Sequence, residues 1–192
     1  MEAIEQNSQI ISRAQQGDLG AFSSLYEEYF KKIYGFIYYR TRHKEVSEDL
    51  TSLIFTKALE KLYQYKADKG TFSAWLYRIA RNTLYDHWRT SQITEDIDLI
   101  GNLSSQDNPA KEAANNIALE QIQSYLNNLS KEQREIVLLR LWDGLSYEEI
   151  AGVTGKSLAS CKMSFSRTMA KIRQEFPLVL LYLTIIGQFY RN

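Results

Sequence analysis

Phe72-Ser-Ala-Trp-Leu-Tyr-Arg-Ile-Ala-Arg-Asn-Thr-Leu-Tyr-Asp-His-Trp-Arg89 contains neither glycine nor proline, and its apolar residues recur at the period of an α-helix. Phe72, Leu76, Ile79, Ala80 and Leu84 fall on one stripe, which should face a core. Arg78, Arg81, Asn82, Tyr85 and Arg89 fall on the opposite side, where Asp86 is the only acid of the segment. Cations meet phosphates, amides read base edges, and aromatic rings stack on unpaired bases, so this face suits nucleic acid. The solvated face of an ordinary amphipathic helix can carry the same residues, and periodicity alone leaves both readings open.

Around this segment, a chain of 192 residues allows one domain or two small ones, and 44% hydrophobic content is enough for globular cores. The formal net charge is zero, but the charge is unevenly spread. Residues 93–130 set Lys111 alone against Glu95, Asp96, Asp98, Asp107, Glu112 and Glu120, whereas 156–173 carry Lys156, Lys162, Arg167, Lys171 and Arg173 with no acid. Cys161 is the only cysteine, which excludes an internal disulfide and suits a reducing compartment. The N-terminus shows no basic start followed by an apolar run, so a cytoplasmic protein is expected. His43 and His87 are the only histidines, and neither they nor Cys161 have partners at ligand or triad spacing. No glycine-rich phosphate loop appears either, so neither an enzyme nor a metal or cofactor site is expected. Few glycines, two prolines and no strand-like alternation predict an all-α chain.

N-terminal to the opening segment, a short helix is predicted over 4–16, ended by Gly17, with Asp18 capping the next. That second helix runs from Leu19 to about Arg42, with Phe22, Leu25, Tyr26, Tyr29, Ile33, Phe36 and Ile37 inward. A third spans about 44–63 on Leu50, Leu53, Ile54, Ala58 and Leu62. The turn 64–71, with Tyr65, Lys66, Lys69 and Gly70, reads equally as a cup for a flipped base or as an ordinary solvated turn.

C-terminal to it, 91–107 is polar and acidic without an apolar period, which predicts a linker between domains. Asn108-Pro109 then opens a helix to about Asn128 with Ile117, Ile122, Tyr125 and Leu126 inward. Two capping boxes follow: Ser130 to Gln133 opens a helix to about Trp142, and Ser146 to Glu149 opens a short one over 147–153. Gly155 ends that helix, and Ser157 caps a last long one to about Phe176. A short helix, a tight glycine-containing turn and a longer basic helix make a helix-turn-helix, whose second helix enters the major groove. Leu158, Cys161, Phe165, Thr168 and Ile172 should face inward. Ala159, Ser160, Lys162, Met163, Ser166 and Arg167 should face out.

The run Trp75-Leu-Tyr-Arg-Ile-Ala-Arg-Asn82, with Asp86-His87 after it, resembles the promoter-melting helix of bacterial RNA polymerase sigma factors of the extracytoplasmic-function group. Glu48-Asp-Leu-Thr51 followed by Phe55 resembles the same family's clamp-binding helix, and Leu129 to Glu135 with Gly144 to Ala151 resembles its second DNA-binding domain. The resemblance covers about residues 10–175, with the motifs in order. It implies two small helical domains joined by an acidic flexible linker: a region 2-like domain over 1–92, a linker over 93–108, a region 4-like helix-turn-helix domain over 109–176 and an apolar extension over 177–192. It implies core RNA polymerase and promoter DNA as partners, an anti-sigma factor as inhibitor, and at most indirect contact with a membrane. Polymerase contact falls to Asp49, Leu50, Thr51 and Phe55. The downstream promoter element falls to Tyr65, Lys66, Lys69, Trp75, Arg78, Arg81, Asn82, Tyr85 and Arg89. The upstream element falls to Ser160, Lys162, Met163, Ser166, Arg167, Lys171 and Arg173.

Melting on this reading needs no catalytic group, only a surface that prefers unstacked bases; Trp75, Tyr77 and Tyr85 are the aromatic candidates, with Trp75 equally suited to a core. The chain departs from the family at Ser52-Leu53, where a Gln-Glu pair is usual, at Ser164, where an Arg is usual, and at Met169, where a cation is common. Pro177 to Ile186 is apolar all round yet too short to span a bilayer as a helix. Packing within the chain, contact with an inhibitor or polymerase, and a membrane surface are its open alternatives. A dimeric helix-turn-helix regulator using only the second domain is the rival reading; it would bind duplex promoter without polymerase.

Overall fold

A computed structural model describes residues 2–91 and 129–175; the linker 93–108, the helix predicted over 109–128 and the apolar extension 177–192 lie outside the described residues. The chain divides into two compact units, Met1–Asp96 and Ile97–Asn192. All regular structure among the described residues is helical.

The first unit is built from α1 (Glu2–Gln15), α2 (Leu19–Thr41), α3 (Lys44–Lys61) and α4 (Phe72–Ser91). Asp18 caps α2 as predicted: its carboxylate accepts from the Ala21 N–H at 3.0 Å and from Arg13 at 2.6 Å. The Ala21 N–H first, and then Arg13, hold this carboxyl below the ordinary aspartate range. The α2–α3 corner is tight. Arg42 takes a left-handed conformation (φ 52°), and His43 caps α3 by accepting the Val46 N–H at its Nδ1. The last turn of the predicted third helix tightens into a 3-10 turn over Leu62–Gln64, and a second one occupies Ala67–Lys69. Gln15 ties this connection to α1 by donating to the carbonyls of Leu62 and Tyr65, both at 2.9 Å.

Leu25, Ile33, Phe36 and Ile37 from α2, Ile54 and Ala58 from α3, and Leu76, Ala80 and Leu84 from α4 make the core. Three inward assignments are corrected. Leu53 is 43% exposed, because the buried stripe of α3 is completed by Ser47 and Thr51 rather than by a further leucine. The Ser47 hydroxyl makes this possible by bonding both the His43 carbonyl and the Thr41 hydroxyl at 2.7 Å. Tyr26 is 38% exposed, its ring 4.7 Å from that of Phe55 of α3. Ile79 is only half-buried; Thr83 lies inside α4 instead, where its hydroxyl accepts from Lys57 of α3 at 3.1 Å.

The second unit carries α5 (Lys131–Leu141), α6 (Tyr147–Thr154) and α7 (Leu158–Glu175). Both capping boxes form, Ser130 with Gln133 and Ser146 with Glu149. Gly144 and Gly155 supply the left-handed turns (φ 69° and 73°) that end α5 and α6. Ile136, Val137, Leu139, Leu145, Ile150, Val153, Cys161 and Ile172 fill this core. Leu158, assigned inward, is exposed at the first position of α7.

Candidate nucleic-acid interface

On α4, each residue of the cationic side lies at the surface: Arg78, Asn82 and Arg89 are exposed, and Arg81 and Tyr85 half-buried. The Arg81 guanidinium stands 4.7 Å from the centre of the Tyr85 ring. Trp88, which periodicity alone did not single out, completes the row: it is half-buried, with its ring 5.4 Å from that of Tyr85 in an edge-to-face arrangement. The i, i+3 spacing of Tyr85 and Trp88 was the available signal. Arg89 pairs with Asp86 at 2.9 Å, so the one acid of the segment partly offsets the last cation. The face therefore offers two aromatic rings, an amide and three cations within about three turns of rigid helix.

Tyr77 does not belong to this face. It is buried, 1% exposed, with its ring edge-to-face on Phe36 at 5.3 Å, so it is a core residue and no base can reach it. The reason is angular: Tyr77 lies seven residues from Leu84, only about 20° around the helix, just past the edge of the predicted stripe. Trp75 is half-buried and packs on Phe72 at 5.4 Å and Tyr65 at 5.7 Å. Tyr65 braces the loop before α4: its hydroxyl donates to the Gly70 carbonyl at 3.1 Å, and burial pushes its phenol up. Lys66 and Lys69 stand exposed on the rim of that loop, and the Thr71 hydroxyl accepts the Ala74 N–H where α4 begins. Lys66, Lys69 and Trp75 thus lie at the start of α4, whose cationic side runs on from there to Arg89.

Of the four residues assigned to polymerase on α3, Asp49 is exposed, whereas Leu50, Thr51 and Phe55 are buried against α2 and α4 or their own helix. Leu53 and Leu59 are the large apolar side chains exposed on α3.

On α7, Ser160, Lys162, Met163, Ser166, Arg167, Lys171 and Arg173 are all exposed, and Cys161, Thr168 and Ile172 lie beneath them in the core. Phe165 is half-buried against Tyr147. Ser157 caps the helix through the Ser160 N–H at 3.2 Å. Lys156, at the turn, pairs with Glu132 at 2.8 Å and is tied to α5 rather than to the recognition helix. A cationic helix with small polar residues at its early exposed positions can enter a major groove and touch base edges. No helix among the described residues is long and apolar enough to cross a membrane.

Two family descriptions match the chain: Sigma-70 region 2 over residues 25–93 and Sigma-70, region 4 over residues 119–172. The chain is 30% identical over 172 residues to the ECF RNA polymerase sigma factor BldN of Streptomyces coelicolor, covering 88% of this chain and 65% of that one. It is 31% identical over 160 residues to the RNA polymerase sigma-H factor of Pseudomonas aeruginosa, covering 78% of this chain and 82% of that relative. Among solved structures it is similar to the sigma factor RpoE in complex with the anti-sigma factor NepR from Bartonella quintana, with a TM-score of 0.58 and 25% identity over 82% of this chain and 97% of that one.

Proposed function

Since this chain belongs to the extracytoplasmic-function group of the sigma-70 family of RNA polymerase sigma factors, we propose a division of labour between its two units. The first binds core polymerase through α3 and holds the opened downstream promoter element along α4. The second reads the upstream element through α7. The observation that carries this reading is the outward side of α4, where Arg81 lies against Tyr85, and Tyr85 against Trp88, beside Arg78 and Asn82. Cations alone would favour the duplex, with its dense phosphates. Opening requires a preference for bases out of the stack, which the rings supply, and it proceeds by binding rather than by a catalysed reaction.

On the polymerase side, Asp49 is the accessible member of its motif, and the exposed Leu53 stands in the surface that Gln-Glu would otherwise occupy. Leu50, Thr51 and Phe55 act from beneath, by setting the shape of α3. The acidic stretch 93–108 serves as the tether between the two units. A Glu-specific protease should cut at Glu95 and leave two folded fragments; one cooperative unfolding transition lost on cleavage would contradict the tether. By likeness to relatives solved with an anti-sigma factor, an inhibitor of that kind is the expected regulator, acting in the cytoplasm.

The test is reconstitution: core polymerase, this protein and the promoter fragment upstream of its own gene. A specific transcript that depends on both the protein and the upstream element supports the reading. Tight duplex binding by the protein alone, with no transcript when polymerase is added, would make it a stand-alone helix-turn-helix regulator.

A further inference from the structure

We propose that Tyr147 is a positioning residue for promoter reading, its ring holding the Lys162 side chain on the groove-facing side of α7. This rests on the reading of α7 as the helix that reads the upstream element. Tyr147 is the first residue of α6, and the capping box of Ser146 and Glu149 fixes its backbone. Its ring meets three neighbours from two other helices. The Arg140 guanidinium of α5 stands 5.0 Å from its centre, the Phe165 ring of α7 meets it edge-to-face at 5.8 Å, and the Lys162 ammonium lies 5.9 Å away. Arg140 is itself anchored, donating to the Leu145 carbonyl at 2.8 Å. Arg140, Tyr147 and Phe165 are half-buried, and Lys162 is the exposed member of the group.

Phe165 alone would satisfy the ring's apolar edge. The convergence of two cations on one π-system is what a purely structural contact does not need. A lysine has a flexible four-carbon stem and loses that freedom when its ammonium is fixed on a base edge. A ring facing the ammonium pays part of that ordering in advance. Phosphates accept an ammonium from many directions, whereas base acceptors demand one. The ring should therefore govern discrimination between upstream elements more than affinity for DNA.

The experiment uses full-length protein in holoenzyme and compares transcription from the preferred upstream element with single-base variants of it. Tyr147→Met, which keeps the bulk and removes the ring, should lower the discrimination ratio about two- to fivefold. Tyr147→Phe should keep it, and the salt dependence of duplex binding should not change in either. Lys162→Met should lower the ratio as well, and the double variant should be no worse than Lys162→Met alone. In the unaltered protein, the Lys162 side-chain methylene protons should resonate upfield from the ring current, a readout that does not depend on any variant folding. Additive losses in the double variant, equal damage from Tyr147→Phe and Tyr147→Met, or unshifted Lys162 protons would each overturn the inference. If Lys162→Met leaves discrimination intact in an active holoenzyme, this inference falls while the sigma-factor reading stands. Absence of any promoter-specific transcript from the unaltered protein would instead sink the reading on which it rests.

Discussion

Replacing Tyr85 by alanine removes a half-buried ring that touches Trp88 on one side and Arg81 on another. Two losses must be separated. The aromatic pair and the cation–ring contact together contribute about 1–2.5 kcal/mol to folding, taking roughly 0.5–1.5 for the first and 0.5–1 for the second. A domain stable by about 5–15 kcal/mol stays folded after that loss. Stacking of an unpaired base on Tyr85 would contribute about 1–3 kcal/mol to the open complex, and one duplex step costs roughly 1–2 kcal/mol to open. Losing the stack should therefore lower the equilibrium between open and closed complexes by about 5- to 150-fold at 1.4 kcal/mol per factor of ten. Closed-complex formation, assigned in the proposed division of labour to α3 and α7, should stay nearly normal. Permanganate reactivity of unpaired thymines measures the opening directly. A template carrying a pre-melted bubble supplies the missing free energy and should restore transcription to Tyr85→Ala. If the bubble fails to rescue, or if thermal melting shows the variant unfolded at the assay temperature, the ring acts through the fold and the stacking argument fails at this residue.

Asp49→Ala should weaken binding to core polymerase in a pull-down titration while duplex binding by the second unit persists; unchanged holoenzyme formation would move the contact elsewhere on α3. Arg173→Ala should weaken all upstream sequences alike and reduce the slope of log affinity against log salt by about one charge, whereas Ser166→Ala should change which sequence is preferred. A uniform loss from both would argue against base reading by α7. Tyr77→Ala should destabilise the first unit by about 3–5 kcal/mol in denaturant titration, in line with loss of a buried aromatic. A cost near zero would put Tyr77 back at the surface.

The helices of both units were legible because their ends carry local chemistry. Asp18, Ser130, Ser146 and Ser157 accept the N–H groups expected of them, and Gly144 and Gly155 turn the chain where they should. The cationic side of α4 and the exposed side of α7 were legible for a related reason, since a helix sorts its residues by angle alone. What angle could not supply was the width of each buried arc. Tyr77 lies inside α4, while Leu53 and Tyr26 lie outside the α2–α3 contact, because the choice depends on which neighbour fills the space. Ser47 and Thr51 occupy places that a hydrophobicity pattern reserves for leucine, and only the hydroxyl bonds of Ser47 to Thr41 and His43 explain one of them. His43 as an N-cap was likewise invisible, since histidine is an uncommon residue there and its acceptor nitrogen shows only once Val46 is placed.

The bond from Lys57 to Thr83 spans α3 and α4 within one core. The helix proposed to meet polymerase and the helix proposed to meet DNA are therefore joined within one core, with no hinge to be set between them. Docking the first aims the second, and the angular freedom of the DNA face is surrendered once, when the protein joins polymerase, rather than again at every promoter. On such a bracket, a lesion at Lys57 would show neither as weak polymerase binding nor as weak base capture. It would show as misalignment: normal affinities on each side, measured separately, and poor cooperation when both partners are present.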